Sequence, residues 1–274
     1  MHGQPAFRRP DRSSRQRGRS ARSDRRSQAT AAILCEVEVA TGLETVVRAE
    51  LVDRLGGRAA FGPLGASESR RGAVRFGYRG SLRSLCELRT AHAVYVVVPF
   101  AVPRPRALLG DQNLRLLLTH IDAVLSLWPV GTFQTLTLSA AGAESPVLSR
   151  LRDEIARRTG LSPDNGSGHL LLRMRRADTE AAGWEVLIRI SPRPLAVRSW
   201  RVCDYKGALN AAVAHAMVLL TRPRPGDVFL NIACGSATLL IERAAAAPVR
   251  QMIGCDIRVD ALACARANVA AAGQ

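Results

Sequence analysis

Near-continuous apolar runs alternate with helix-forming runs at the end of this sequence. "VFLNIA" (228–233) precedes "ATLLIERAAAA" (237–247), and "RQMIGCDI" (250–257) precedes "VDALACARANVAAAG" (259–273). A strand that is apolar at almost every position is buried on both faces, which a parallel sheet sandwiched by helices provides. Strand, helix, strand, helix in this order predicts a doubly wound α/β unit over residues 200–274. In such sheets, ligands sit beyond the carboxyl ends of the strands. The first run ends in the small turn Cys234-Gly235-Ser236-Ala237, and the second ends in Asp256.

Upstream the pattern is different. "AILCEVEVA" (32–40) alternates with period two, as a half-buried strand does. "TGLETVVRAELVDRLGG" (41–57) predicts a helix with Thr41 as N-cap and Glu44 completing a capping box. Gly56-Gly57 stops it. "RGAVRFGY" reads as a strand, "SLRSLCELRTA" as a helix and "AVYVVVPF" as a strand, which makes a small α+β unit over residues 31–104. A second α+β unit over 105–192 follows a proline-rich link. Its helices are "QNLRLLLTHIDAVLSLW" and "ESPVLSRLRDEIARRTG"; its strands are "GTFQTLTLSA", "HLLLRMRRA" and "GWEVLIRI". A connector rich in Pro and Arg leads to "KGALNAAVAHAMVLLT", a further helix.

The net charge is +16, and of 39 basic residues only Lys206 is lysine. So positive a balance favours a nucleic acid or another polyanion, and the planar arginine fork suits phosphate. Residues 1–30 hold nine arginines and two aspartates in "RRPDRSSRQRGRSARSDRRSQ" and are expected to be disordered. They read as a basic arm on an RNA backbone or as a solvated tail. Arg198 and Arg201 flank Trp200 in the connector and are candidate phosphate contacts, or simply part of a solvated linker. Trp128 reads as a buried or a base-stacking side chain, and Arg173, Arg175 and Arg176 as a basic or merely exposed strand face.

Several classes are excluded. No apolar run reaches the roughly 18 residues that span a bilayer, and the arginine-rich start has no apolar core of a secretory signal behind it. None of the six cysteines forms a C-x-x-C pair, and His92, His120, His169 and His215 are scattered, so no metal site is expected. The cysteines read as reduced thiols of a cytoplasmic protein.

The turn and the acidic strand end describe a site for an adenosine-bearing cofactor. Glycine lets a ligand approach the backbone, the helix N-terminus attracts an anion, and a carboxylate about 20 residues on suits ribose hydroxyls. G-x-G-x-x-G and G-x-x-x-x-G-K-[ST] are both absent, which argues against a dinucleotide or a triphosphate. S-adenosylmethionine, smaller and with one carboxylate, fits a short turn. An ordinary tight turn of an α/β domain is the competing reading.

"NIACGSATLLIE" resembles the motif "DP-x-CGSGT-x-x-IE" of the THUMP-domain RNA methyltransferases, which act on guanine N2 of tRNA or 23S ribosomal RNA. "GCDIRVDALACARANVAAAG" resembles the family's next segment, "KGALNAAVAHAMVLL" its preceding helix, and "ATGLETVVRAEL" the start of its ferredoxin-like unit. The resemblance implies a ferredoxin-like unit over 31–104, a THUMP domain over 105–192, and a partial Rossmann-like methyltransferase domain over 200–274. It implies S-adenosylmethionine held by Asn231, Cys234, Gly235, Ser236, Ala237 and Asp256, with RNA as partner and no metal. Asn231, Ile232 and Ala237 depart from the family's Asp, Pro and second Gly. The family's "[N/D]-P-P-[Y/F/W]" motif, which holds the target amine, is absent, so no catalytic residue is assigned. Residues 200–274 supply about half of a ~150-residue domain. The expectation is an N-terminal portion of a methyltransferase that does not methylate by itself, or else a non-catalytic RNA-binding protein.

Overall fold

The structure is a computed structural model that describes residues 32–62, 70–166, 168–177 and 183–274. The arginine-rich head lies outside these residues.

Eight strands form one sheet. β1 (Ile33–Glu38) lies between β3 (Ala73–Tyr78) and β4 (Ala93–Phe100), and short β2 (Ala59–Ala60) pairs with β3. β5 (Thr135–Ala140), short β6 (Ser162–Pro163), β7 (Leu170–Arg176) and β8 (Trp184–Arg189) complete it in the order β2-β3-β1-β4-β8-β7-β5-β6. The two α+β segments of the sequence thus share one sheet, joined where β4 runs antiparallel to β8 from Tyr95↔Arg189 to Phe100↔Trp184.

The period-two pattern sets the faces. Val94, Val96, Val98 and Phe100 of β4, Val186 and Ile188 of β8, and Leu170, Leu172 and Met174 of β7 point into one core. Three helices cover it. α1 (Glu44–Leu55) contributes Val47, Leu51 and Leu55; α2 (Asp111–Leu125) Leu114, Leu117, Ile121 and Val124; α3 (Pro146–Thr159) Leu148, Leu151 and Ile155. These three- and four-residue spacings are the apolar stripes of amphipathic helices. Gly160 closes α3 in the left-handed region, at φ 73°.

On the opposite face, Ala93, Tyr95, Val97 and Leu187 form a small apolar cluster, and arginines from neighbouring strands are held there by carboxylates. Arg75 bonds both oxygens of Glu185 (2.9 and 2.8 Å) and Glu36 (2.9 Å); Arg175 reaches Glu36 (2.9 Å) and Glu185 (3.2 Å). Burial alone raises the Glu36 pKa, but Arg175 and Arg75 outweigh it and hold the carboxyl below its ordinary value. Arg173 pairs with Glu38 at 2.8 Å, and Arg176 stacks on Trp184. Of the three strand arginines, Arg173 and Arg175 are thus engaged within the sheet.

Two local expectations are corrected. Thr41 does not cap α1. The helix starts at Glu44, whose carboxylate accepts instead from Gly42 N (2.8 Å) and Gly72 N (2.7 Å), tying the helix start to the β3 entry. The helix expected over "SLRSLCELRTA" is a 3-10 turn, Leu82–Glu87. The Glu50 carboxylate of α1 takes the backbone N–H groups of Arg89 and Thr90 (both 2.9 Å) and so competes with helical continuation.

The remaining chain forms the predicted parallel pair. α4 (Ala211–Leu220) is capped by Asn210, whose Oδ1 accepts from Ala212 N at 2.9 Å. β9 (Val228–Ile232) pairs in parallel with β10 (Gln251–Cys255), with α5 (Thr238–Ala246) between them and α6 (Val259–Ala271) after. One face of this pair bears exposed Val228, Leu230, Ile232 and Ile253. A Cβ on Gly254 would stand 2.5 Å from Leu240 Cδ1 and 3.1 Å from Cys234 Sγ, so a side chain there would have to displace the Leu240 side chain.

A buried ion cluster joins this lobe to the large sheet. Glu242 of α5 is fully buried and takes a fork of bonds from Arg89 (2.9 and 3.0 Å) and one from Arg198 (2.9 Å). His215 Nδ1 of α4 lies 3.0 Å from the same carboxylate. Among the described residues, no helix is long and apolar enough to cross a membrane.

Candidate functional site

The site is built on the ends of β9 and β10. Cys234 N bonds Cys255 O at 2.8 Å, which holds the turn against the neighbouring strand. Asp256, just past β10, accepts from Gly235 N through Oδ2 (2.8 Å) and from Arg258 N through Oδ1 (3.0 Å). Those backbone bonds, Arg258 first and Gly235 second, hold its carboxyl below the ordinary value, so it is ionised at neutral pH. Burial, followed by the neighbouring Asp256 charge, pushes the Cys234 thiol up. A raised thiol is a poor nucleophile, which fits a packing role.

The turn is conformationally costly. Gly235 sits at φ 54°, and two alanines share the left-handed region, Ala233 at 58° and Ala237 at 68°. Each non-glycine residue there costs about 1–2 kcal/mol. Ala237 buries its methyl in the apolar cluster with Trp200, Ala211 and Leu240, so that methyl points away from any ligand. Ala233 is exposed and gains nothing from its side chain. Ala233→Gly is therefore expected to stabilise the protein by about 1 kcal/mol, raising the melting midpoint by ~2–4 °C in a thermal scan. A lower midpoint would contradict this account of the turn.

A cavity of about 220 Å³ opens at the turn. Asn231, Ala233, Cys234, Gly235, Ser236, Thr238 and Leu239 line one side, and Tyr205, Gly207, Ala208 and Leu209 of the connector line the other. Of the six residues assigned to the cofactor, Asn231, Cys234, Gly235 and Ser236 meet in this cavity. Asp256 braces the turn, and Ala237 faces the core. The Ser236 hydroxyl is buried and has no hydrogen-bond partner among the described residues. A buried polar atom without a partner is costly unless something else bonds it, so an orphan hydroxyl at the cavity fits a polar ligand there.

The connector wall was not assigned from sequence. "KGALN" reads as the start of α4, but the helix begins at Ala211, after Gly207 at φ 83° and the Asn210 cap. The cap, an asparagine directly before an alanine-rich run, is the signal that would have placed it.

Arg198 and Arg201 are both engaged within the protein. Arg198 bonds Glu242, Leu195 O (2.6 Å) and Arg89 O (2.6 Å). Arg201 bonds Leu209 O (2.8 Å) and Thr238 Oγ1 (3.0 Å), bracing the cavity wall against α5. Trp128 donates its Nε1 hydrogen to Ile190 O at 2.8 Å beneath the guanidinium of Arg83.

The cysteines also depart from expectation, since they are not all free thiols. Cys203 and Cys264 are joined by a disulfide. They lie 61 residues apart, and α6 brings them together by packing against the connector. Cys35, Cys86, Cys234 and Cys255 are free.

Comparison with known proteins agrees with this geometry. Residues 198–274 match the family model described as UPF0020, RMKL-like, methyltransferase domain. No curated protein matches the chain. Among solved structures, TrmN from Thermus thermophilus is similar at TM-score 0.60 and 23% identity, over 88% of this chain and 70% of that one. A predicted N6-adenine-specific DNA methylase from Listeria monocytogenes is similar at 0.56 and 19%, over 88% and 72%. SMU.472, complexed with SAH, is similar at 0.56 and 16%, over 89% and 73%. The chain thus has a mixed α/β fold shared with solved methylase structures, and its residues 198–274 match the RMKL-like methyltransferase domain.

Proposed function

We propose that this chain belongs to an S-adenosylmethionine-dependent RNA methyltransferase acting on guanine N2, of tRNA in the first place and of 23S ribosomal RNA as the alternative. The carrying observation is the parallel β9–β10 pair whose turn is braced by Asp256 on Gly235 N, with the orphan Ser236 hydroxyl at the cavity beside it. The Asp256 carboxylate has lone pairs left for ribose hydroxyls. Gly235 leaves room for close approach, and the N-terminus of α5 favours the cofactor's carboxylate. When bound, S-adenosylmethionine supplies an electrophilic methyl group.

Residues 31–104 are read as the ferredoxin-like unit, 105–192 as the THUMP domain and 200–274 as part of the methyltransferase domain. The net charge of +16 supports RNA as the partner. No catalytic residue is assigned within these residues.

A second reading, a non-catalytic RNA-binding protein, is favoured by Asn231 in place of an acid. One pair of titrations separates the two. S-adenosylhomocysteine is expected to bind in the micromolar range by calorimetry. Transfer RNA is expected to bind with an affinity that falls ~10²-fold or more between 50 and 200 mM salt. RNA binding without cofactor binding selects the second reading, and failure of both rejects the two together.

A further inference from the structure

The Cys203–Cys264 disulfide stands where the cavity wall meets α6. Cys203 precedes Tyr205, Gly207, Ala208 and Leu209 of that wall by a few residues. Asn268, fully buried one turn after Cys264, gathers the same parts. Its Oδ1 accepts from Val202 N (3.0 Å) and Cys203 N (2.9 Å); its Nδ2 donates to Cys203 O (3.0 Å) and to Ser236 O of the cofactor turn (3.2 Å). Connector, α6 and turn therefore meet at one point, and the disulfide is the covalent member. Cys264 is 4% exposed, whereas Cys203 is half-buried beside Val202, which is 65% exposed. An incoming thiol reaches the bond from the Cys203 side.

We propose that Cys203 and Cys264 are a thiol–disulfide latch on the wall of the cofactor cavity, closed by exchange with glutathione disulfide, which is reduced to two glutathiones, and opened by a small thiol of the glutathione class; its effect on cofactor rests on the function proposed above. The chemistry balances. A glutathione thiolate attacks Cys203 Sγ, a mixed disulfide forms, and Cys264 leaves as a thiolate that takes up a proton. A second glutathione thiolate attacks the glutathione sulfur of the mixed disulfide and expels the Cys203 thiolate, which is protonated in turn. The protein disulfide is reduced to two thiols, and two glutathiones are oxidised to one glutathione disulfide. With the latch open, the Asn268 bonds still align the connector, but the wall is no longer covalently tied to α6. Ordering it then falls to the ligand, which weakens binding by ~3- to 10-fold.

The test uses the full chain purified without reductant, before and after reduced glutathione. Alkylation under denaturing conditions followed by intact mass counts free thiols: four of the six cysteines are expected to react before reduction and six after. Amide exchange over residues 202–209 is expected to quicken on reduction, and the dissociation constant of S-adenosylhomocysteine to rise ~3- to 10-fold. Cys203→Ser, with five reactive thiols, is expected to match the reduced protein in exchange and affinity whether or not reductant is present. Six reactive thiols before reduction would overturn the latch, as would unchanged exchange over 202–209. If neither redox state binds S-adenosylhomocysteine while thiol count and exchange respond as described, the latch stands and the cofactor reading falls.

Discussion

Glu242→Ala is expected to lower the unfolding free energy by about 3–5 kcal/mol, the usual result of removing one partner from a buried ion pair. The side chain is fully buried, and its loss leaves the mostly buried Arg198 and the partly exposed Arg89 without their carboxylate. Burial by itself would raise the Glu242 pKa. His215, Arg198 and Arg89 outweigh it and hold the carboxyl at about 2. A depressed carboxyl contributes stability that is complete above the unfolded pKa, about 4.3, and that is lost as pH falls toward 2. Urea melts of wild type and Glu242→Gln should therefore converge as pH is lowered from about 5 to about 2. A loss below about 1 kcal/mol for Glu242→Ala at pH 7 would show that the arginines find water or other partners, and that the cluster is not what fixes the lobe to the sheet.

Asp256→Ala is expected to weaken S-adenosylhomocysteine binding by at least ~30-fold, from the loss of charged acceptors. The carboxylate acts twice. It offers oxygens to ribose, and it keeps Gly235 N–H in place so that the turn stays open. Asp256→Asn retains the shape and one acceptor, and should fall between wild type and alanine. The half-buried carboxylate also braces the turn through Gly235 N and Arg258 N, so the melting midpoint should fall modestly while affinity falls much further. Unaltered affinity in Asp256→Ala would remove this residue from the site and leave the cavity without its ribose partner.

The strands and the motif were legible because they depend on local periodicity. Alternation in "AILCEVEVA" and the apolar run "VFLNIA" dictate their faces wherever they end up. Cys234-Gly235-Ser236 and Asp256 were legible for the same reason: a glycine turn and an acidic strand end are short-range patterns. What depended on distant partners was not. Glu50 lies far in sequence from Arg89 and Thr90, yet its carboxylate ends the turn that composition reads as a helix. Arg198 and Arg201 look like solvent-facing cations until Glu242 and Thr238 are placed beside them. The pairing of Cys203 with Cys264 needs the packing of α6, and the connector wall at Tyr205–Leu209 needs the cavity itself.

The place of β4 in the large sheet bears on how the chain is made. Its outer neighbour is β8, with Phe100 opposite Trp184. On a ribosome adding residues at ordinary speed, β4 waits ~4–17 s before that partner has been synthesised. During that interval a strand apolar on both faces presents an unpaired edge, the arrangement that recruits foreign strands. The valines of "AVYVVVPF", buried at the middle of the finished sheet, are in the nascent protein an apolar edge left open to foreign strands.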